Sequence, residues 1–282
     1  MRIGAWQFDV RRGELAANLA AGIRGLEAAS RAGLELVVLP EMWPTSFLSA
    51  GGPAPVEADR SALDAAVRAS SESVARLVER AAELGVAVAG SAYGAAPEGG
   101  LPRNRFSLWS RGEELSAYDK VHLFSVTGEN LGFSAGEQAP AAVALGPATV
   151  AGVICYDLRF APVVEAARRA GADLLLVPAQ WPTPRASHWF SLLAGRAVEA
   201  QAFVLGANRT GVELMGRRKR ALAFGGHSAL VGPDGVTLAR GTGVGAEELV
   251  WAHVDPDQAR ALRREVRVAD DRRPELYTRW QG

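Results

Sequence analysis

Cysteine is the scarcest reactive residue in this chain: there is one among 282 residues, at position 155. A single cysteine cannot close an intramolecular disulfide or build a multi-cysteine zinc site. A lone thiol fits a reducing, intracellular setting, which predicts a cytoplasmic protein. Histidine is also sparse, with four residues at positions 122, 188, 227 and 253. No two of them stand at helical or hairpin ligand spacing, so no metal site is expected. Long apolar runs are missing; no stretch approaches the roughly 18 residues that a membrane-spanning helix needs. The opening MRIGAWQFDVRRGEL has no basic start followed by a long apolar run, so it does not read as a signal peptide. Excess charge is absent too, since 31 basic residues face 31 acidic ones. Phosphate binding needs a basic excess, so nucleic acid is not an expected partner.

What is present is an ordinary globular balance, 48% hydrophobic and 22% charged residues, in a chain long enough to bury a large core. Apolar segments at 3–8, 36–39, 86–93, 150–154, 173–177 and 202–207 read as strands. Those at 36–39 and 173–177 are continuous runs that end at Pro40 and Pro178, as expected of strands buried on both faces. Helical spacing covers 15–32 (Leu19, Ile23, Leu26), 61–84, 161–170, 187–201 and 255–264. Hairpins are expected around Arg111-Gly112 and Pro233-Asp234-Gly235. Residues 251–254 close the core, and the tail Arg272-Arg273-Pro274-Glu275-Leu276-Tyr277, broken by proline, is expected to be irregular. Strands and helices alternate, which predicts an α/β fold with helices packed on mixed sheets. No linker separates two blocks; the loop at 94–102 is short. One domain over residues 1–282 follows.

One pair of segments repeats. Residues 29–44 read ASRAGLELVVLPEMWP and residues 167–182 read ARRAGADLLLVPAQWP. Each is a helix end, a glycine turn, a buried strand, a proline and a Trp-Pro. Two similar halves, with two sheets stacked face to face, would produce this echo. The copies differ at one telling place: position 41 is Glu and its counterpart, 179, is Ala. The fold therefore does not itself require an acid there. Functional groups in α/β sheets gather at the carboxyl ends of strands, and both Glu41 and Cys155 stand at such ends.

Each candidate has a plain reading beside a chemical one. Cys155 is either a buried small hydrophobe or a nucleophile near backbone N–H groups that favour a thiolate. Glu41 is either a surface carboxylate or a desolvated proton-transfer base. Lys120, among apolar and aromatic neighbours, is either a solvated lysine or a stabiliser of negative charge. His122 and His188 are the alternative partners for the thiol, as in papain-like enzymes, but neither ends a strand beside an orienting acid.

Taken together, Leu39-Pro40-Glu41, Tyr118-Asp119-Lys120 and Ile154-Cys155-Tyr156-Asp157-Leu158-Arg159-Phe160 resemble the three signature segments of the nitrilase, or carbon–nitrogen hydrolase, superfamily. The resemblance implies an αββα four-layer sandwich with two stacked mixed sheets, pseudo-two-fold halves and a homodimer paired through outer helices. It assigns Glu41 as base, Lys120 as stabiliser and Cys155 as nucleophile, with Glu129 as a supporting glutamate. Lys120 to Phe124, Cys155 to Phe160 and Gln180 to Arg185 are similar to the omega-amidase branch. That branch hydrolyses 2-oxo dicarboxylic monoamides through a cysteine thioester and releases ammonia. An oxyanion would then rest on Lys120 and the Tyr156 backbone N–H, with no metal or organic cofactor. An anionic substrate needs a cation, for which Arg185 is the candidate. Trp181 either lines the pocket or belongs to the core, and Arg159 is expected to pair with Asp157 or another acid. The alternatives are another specificity of the same superfamily, for an N-carbamoyl amine, deaminated glutathione or a nitrile, and a non-catalytic scaffold. One departure stands out: Ala200 precedes Gln201 where relatives usually carry Asn.

Overall fold

The protein is seen here in a computed structural model that describes residues 1–48, 60–215, 220–243, 245 and 247–280. The first half contains β1 (Arg2–Gln7), α1 (Leu15–Arg31), β2 (Leu36–Val38), α2 (Arg60–Leu84), β3 (Ala87–Gly94), β4 (Arg103–Ser110) and β5 (Glu113–Asp119). After α3 (Glu129–Gly132) come β6 (Ala142–Leu145), β7 (Ala148–Gly152), α4 (Ala161–Arg169), β8 (Leu174–Ala179), α5 (Ala186–Ala200) and β9 (Phe203–Asn208). The chain continues through β10 (Thr210–Met215), β11 (Arg220–Gly225), β12 (Ala229–Val231), β13 (Thr237–Arg240), β14 (Glu248–His253), α6 (Pro256–Glu265) and α7 (Pro274–Trp280).

Two six-stranded sheets result, ordered β14-β1-β2-β3-β4-β5 and β6-β7-β8-β9-β12-β13, with β10 and β11 as a separate ribbon. Each sheet has the same pairing senses along that order: antiparallel, parallel, parallel, antiparallel, antiparallel. The crossover helices correspond as well, α1 with α4 and α2 with α5. This is the two-half architecture that the echo predicts. Gly33 and Gly171, at equivalent turns, both take left-handed φ angles of 67° and 92°, which glycine adopts without a Cβ clash.

The continuous apolar run of β2 divides its side chains between two layers. Leu36 and Val38 join Ile3, Phe106, Val150 and Leu174 in the core between the sheets. Val37 faces Leu26 and Leu77 of the first helical layer. Trp189 and Leu193 of α5 pack on the second sheet from outside. The layers are therefore helices, sheet, sheet, helices, each sheet burying both faces. At Gly152 an added Cβ would lie 2.3 Å from the Phe106 ring. The glycine lets β7 approach β4 closely just before Cys155.

Two expectations are overturned. Pro178 does not stop its strand: β8 runs through it, paired with Ala207 of β9. The Leu176 carbonyl accepts from Val153 N–H at 3.0 Å, so alternate residues of β8 face β7. Pro178 faces that same side beyond the end of β7, where its missing N–H breaks no ladder. The tail is not irregular either, because Pro274 opens helix α7. Proline is well suited to a first helical position, where its N–H would be unused. The β10–β11 ribbon and β6 were not expected from the sequence. Among the described residues, no helix is long and apolar enough to cross a membrane.

Candidate active site

The site forms where the carboxyl ends of β2 and β8 meet across the pseudo-two-fold. Glu41 N–H approaches the carbonyl of its counterpart Ala179 at 3.4 Å. The Gln180 backbone N–H donates to Glu41 Oε2 at 3.0 Å, and the Gln180 side-chain amide donates to the Glu41 carbonyl at 2.8 Å. The acid is only 1% exposed.

Lys120 follows β5 and is equally buried. Its Nζ donates to Glu41 Oε1 at 2.7 Å and to both Glu129 carboxylate oxygens at 2.8 Å. Glu129, at the start of α3, also accepts from Phe124 N–H at 2.7 Å. The Asn104 amide, on β4, donates to Glu41 Oε1 at 2.9 Å and to Glu129 Oε1 at 3.1 Å.

Cys155 begins a 3₁₀ turn, Cys155–Arg159, with a φ of 43°. A non-glycine residue in this region is strained and persists only when its surroundings hold it. Met42 and Ser46, on the loop after Glu41, are also left-handed. By strand register, Ile3 pairs with Leu36 and Val150 with Leu174, so Cys155 occupies the place that Phe8 holds in the first half. Its thiol shares the cavity with the Glu41 carboxyl and Gln180, and lies close enough to Glu41 that each group shifts the other's proton affinity. The turn is tied down by buried Asp157, which accepts from Tyr118 O–H at 3.0 Å, His122 N–H at 2.9 Å and Ile154 N–H at 3.3 Å. Tyr118 and His122 flank Lys120, so this one carboxylate fixes the lysine segment against the cysteine turn.

Electrostatics follow from burial. Desolvation raises the proton affinity of Glu41, Lys120 opposes it, and the Glu129 charge adds to the rise. Burial and the adjacent Glu41 push the Cys155 thiol well above its ordinary range. Burial works against the charge on Lys120, but Glu129, Glu41 and Cys155 overcome it and hold the ammonium well above the usual lysine value. The resting site therefore holds a neutral thiol beside a base whose proton affinity burial has raised.

A cavity of ≈ 30 Å³ opens on these groups, lined by Glu41, Lys120, Glu129, Cys155 and Gln180, with Phe47, Phe124, Thr127, Pro182, Leu222 and Phe224 around them. It admits a group of a few heavy atoms. A larger cleft of ≈ 560 Å³ lies between α2 and β4, and none of Glu41, Lys120, Glu129 or Cys155 lines it. Among the described residues, no cluster of three or more His, Cys, Asp or Glu side chains could hold a metal ion.

The structure thus brings Glu41, Lys120, Glu129 and Cys155 together, and Tyr156 stands second in the turn, where an N–H has no acceptor within it. Trp181 and Arg185 are not among the lining residues. Trp181 is buried against Trp189, its indole N–H bonded to the Arg185 carbonyl at 2.8 Å. Arg185 lies over the Phe124 ring, 5.7 Å from its centroid, at the edge of the cavity. Arg159 does not pair with Asp157. Residues two apart do not face one another on a helical turn, and Asp157 points inward. The Arg159 guanidinium instead contacts His188 Nδ1 at 2.9 Å and lies 4.9 Å from the Trp181 ring centroid. His122 stacks on Phe160 beside Asp157, so neither histidine meets the thiol. Sequence reasoning missed Asn104, Gln180 and Asp157. Asn104 had a signal: it shares the inward face of β4 with Phe106 and Leu108, a polar residue in an apolar stripe.

A model of the carbon–nitrogen hydrolase family matches residues 2–264. The chain is 30% identical over 277 residues to 2-oxoglutaramate amidase of Bacillus subtilis (strain 168), covering 98% of both proteins. It is 32% identical over 265 residues to omega-amidase YafV of Escherichia coli (strain K12), covering 94% of this chain and 90% of that one. Among solved structures it resembles an amidase mutant from Nesterenkonia sp. AN1 that shows Michael addition of acrylamide at the active site cysteine. That likeness has a TM-score of 0.81 and 28% identity over 99% of each chain.

Proposed function

This chain belongs to the carbon–nitrogen hydrolase family, and we infer that it cleaves the terminal carboxamide of a 2-oxo dicarboxylic acid monoamide through a thioester on Cys155. The observation that carries this reading is the buried contact set of Cys155, Glu41, Lys120 and Glu129. The substrate class is supported by similarity to 2-oxoglutaramate amidase and an omega-amidase.

The amide carbonyl enters with its oxygen toward Lys120 Nζ and the Tyr156 N–H. Lys120 Nζ donates to Glu41 Oε1 and to both Glu129 oxygens, so it gives up one of its two contacts with Glu129 to turn a proton toward the substrate while still holding both glutamates. Cys155 Sγ attacks the carbonyl carbon as Glu41 takes the thiol proton. A neutral thiol needs that transfer, because the thiolate is the nucleophile. Negative charge gathers on the carbonyl oxygen, where donors already in place stabilise it at about 3–4 kcal/mol each. Glu41 returns the proton to nitrogen, the C–N bond breaks, and ammonia leaves. A water then adds to the thioester as Glu41 accepts its proton. The carboxylic acid departs and Cys155 recovers its thiol.

Arg185, over the Phe124 ring that lines the cavity, suits an anionic substrate. Among the described residues, neither Arg185 nor Arg159 forms an ion pair with an acid. Arg185→Ala is expected to raise KM for carboxylate-bearing amides roughly tenfold or more, the loss of a charge-assisted contact, with little change for uncharged amides. An unchanged KM places the carboxylate elsewhere.

A second reading follows from the lining itself. Phe47, Phe124, Pro182, Leu222 and Phe224 make the walls apolar, which suits a short aliphatic amide. Ammonia release from 2-oxoglutaramate, succinamate, butyramide and a simple nitrile separates the two. The first reading expects kcat/KM for 2-oxoglutaramate to exceed that for butyramide by at least about 100-fold, near 3 kcal/mol. Preference for butyramide favours the second.

A further inference from the structure

Two donors bridge the same pair of oxygens in the site. Lys120 Nζ lies 2.7 Å from Glu41 Oε1 and 2.8 Å from Glu129 Oε1. Asn104 Nδ2 lies 2.9 Å from Glu41 Oε1 and 3.1 Å from Glu129 Oε1. The four atoms close a ring in which donors and acceptors alternate. Asn104 has a second tie to the lysine, since its carbonyl accepts Lys120 N–H at 2.9 Å.

The Asn104 side chain is fully buried, and its Oδ1 has no hydrogen-bond partner. Reversing the amide would aim Oδ1 at two carboxylate oxygens, so chemistry fixes its orientation. Both amide protons therefore go to the two glutamates while the oxygen is left unmatched. An unmatched buried acceptor costs stability. The neighbours on this face of β4, Phe106 and Leu108, would suit a leucine of similar volume better. A residue kept for packing alone would not be an asparagine.

The ring has a consequence for Glu41. Oε1 accepts from both Lys120 and Asn104, which occupies both of its in-plane lone pairs. Oε2 accepts only the Gln180 N–H among the hydrogen bonds to nitrogen donors. We propose that Asn104 is a positioning residue for the proton-transfer base: with Lys120 it engages Glu41 Oε1 and leaves Oε2 as the oxygen that exchanges the Cys155 proton. Its amide also favours the ionised form of a carboxylate that burial drives toward protonation. The inference rests on the reading of Glu41 as base.

The charged and titratable groups facing Glu41 are Lys120 at the end of β5, Glu129 on α3 and Cys155 in the turn after β7. Gln180, after β8, and Asn104, on β4, are neutral. Glu41, Lys120 and Cys155 shift one another, so the test compares whole pH–rate profiles of variants and not one residue's pKa.

Asn104→Leu keeps the volume and removes both donors. It is expected to lower kcat for the best amide substrate roughly 10- to 100-fold, the value of a charge-assisted hydrogen bond, with KM changed less than about twofold. The acid limb of kcat/KM is expected to move to higher pH, because Glu41 loses a donor to its ionised form. A variant with wild-type kcat, or with reduced kcat and an unmoved acid limb, overturns the proposal; the latter pattern is that of a structural role. If Asn104→Leu does not fold, Asn104→Ala is read the same way, alongside the pH dependence of Cys155 alkylation by iodoacetamide. That alkylation is expected to shift to higher pH in the variant, and an unchanged dependence counts against the idea. Glu41→Gln is the control. Retained activity there defeats the base assignment itself. An inactive Glu41→Gln beside an unaltered Asn104→Leu defeats only the role of Asn104.

Discussion

Cys155→Ala is expected to fold normally and to lose about 10⁴-fold or more of its amide-hydrolysing kcat, the scale on which removing a covalent nucleophile acts. No second thiol can substitute, because the chain has a single cysteine. Lys120 and the turn N–H groups would still polarise a bound carbonyl, so substrate binding should persist. The fold should be little affected. Alanine keeps the Cβ, accepts the same left-handed φ of 43° at the same strain, and removes only a small buried sulfur. Three measurements check this: ammonia release, thermal melting, and intact mass after quenching with substrate. Wild type should carry an acyl adduct on Cys155, and the variant none. Residual activity above about 1% of wild type would remove the thiol from the mechanism, as would an adduct that forms equally well on both proteins.

The repeated sequence made the fold legible, and the difference between its copies pointed at the site. Segments 29–44 and 167–182 became α1–β2 and α4–β8, with Glu41 and Ala179 in direct contact at the centre. The partners of Glu41 were not legible. Asn104 and Gln180 stand 63 and 139 residues away from it in the chain, and no local period links such positions. Asp157 was misread in a related way. Its charge invited pairing with the nearby Arg159, yet a buried strand end drew it to Tyr118 and His122, 39 and 35 residues away. The β10–β11 ribbon escaped notice because its apolar residues do not report burial: Val212 and Leu214 are 65% and 55% exposed. Proline misled twice, at Pro178 and Pro274, since its meaning depends on whether its absent N–H had a partner to lose.

Lys120→Met should remove activity and much of the stability together. The ammonium is the only cation in contact with Glu41 and Glu129 among the described residues. Taking it away leaves two buried carboxylates facing each other, a defect that typically costs about 3–5 kcal/mol. The deficit should depend on pH in one direction. Burial already raises the proton affinity of Glu41, Glu129 adds to it, and Lys120 is the opposing influence. In the variant that opposition is gone, so the folded-state pKa of Glu41 rises further above its unfolded value of roughly 4.3. A carboxyl raised in this way takes up protons in the folded state over a range where the unfolded chain does not. Its contribution is most favourable below the unfolded pKa and is lost as pH rises through the folded one. Urea denaturation should therefore show Lys120→Met closest to wild type near about pH 5 and furthest from it near about pH 8. Adding Glu129→Gln should recover part of the stability at the higher pH without restoring catalysis, because one unpaired charge has been removed while the oxyanion donor is still missing. A Lys120→Met enzyme whose stability deficit is flat with pH would show that the two glutamates do not bear the charge assigned to them. One that keeps wild-type kcat would show that the lysine serves the fold and not the oxyanion.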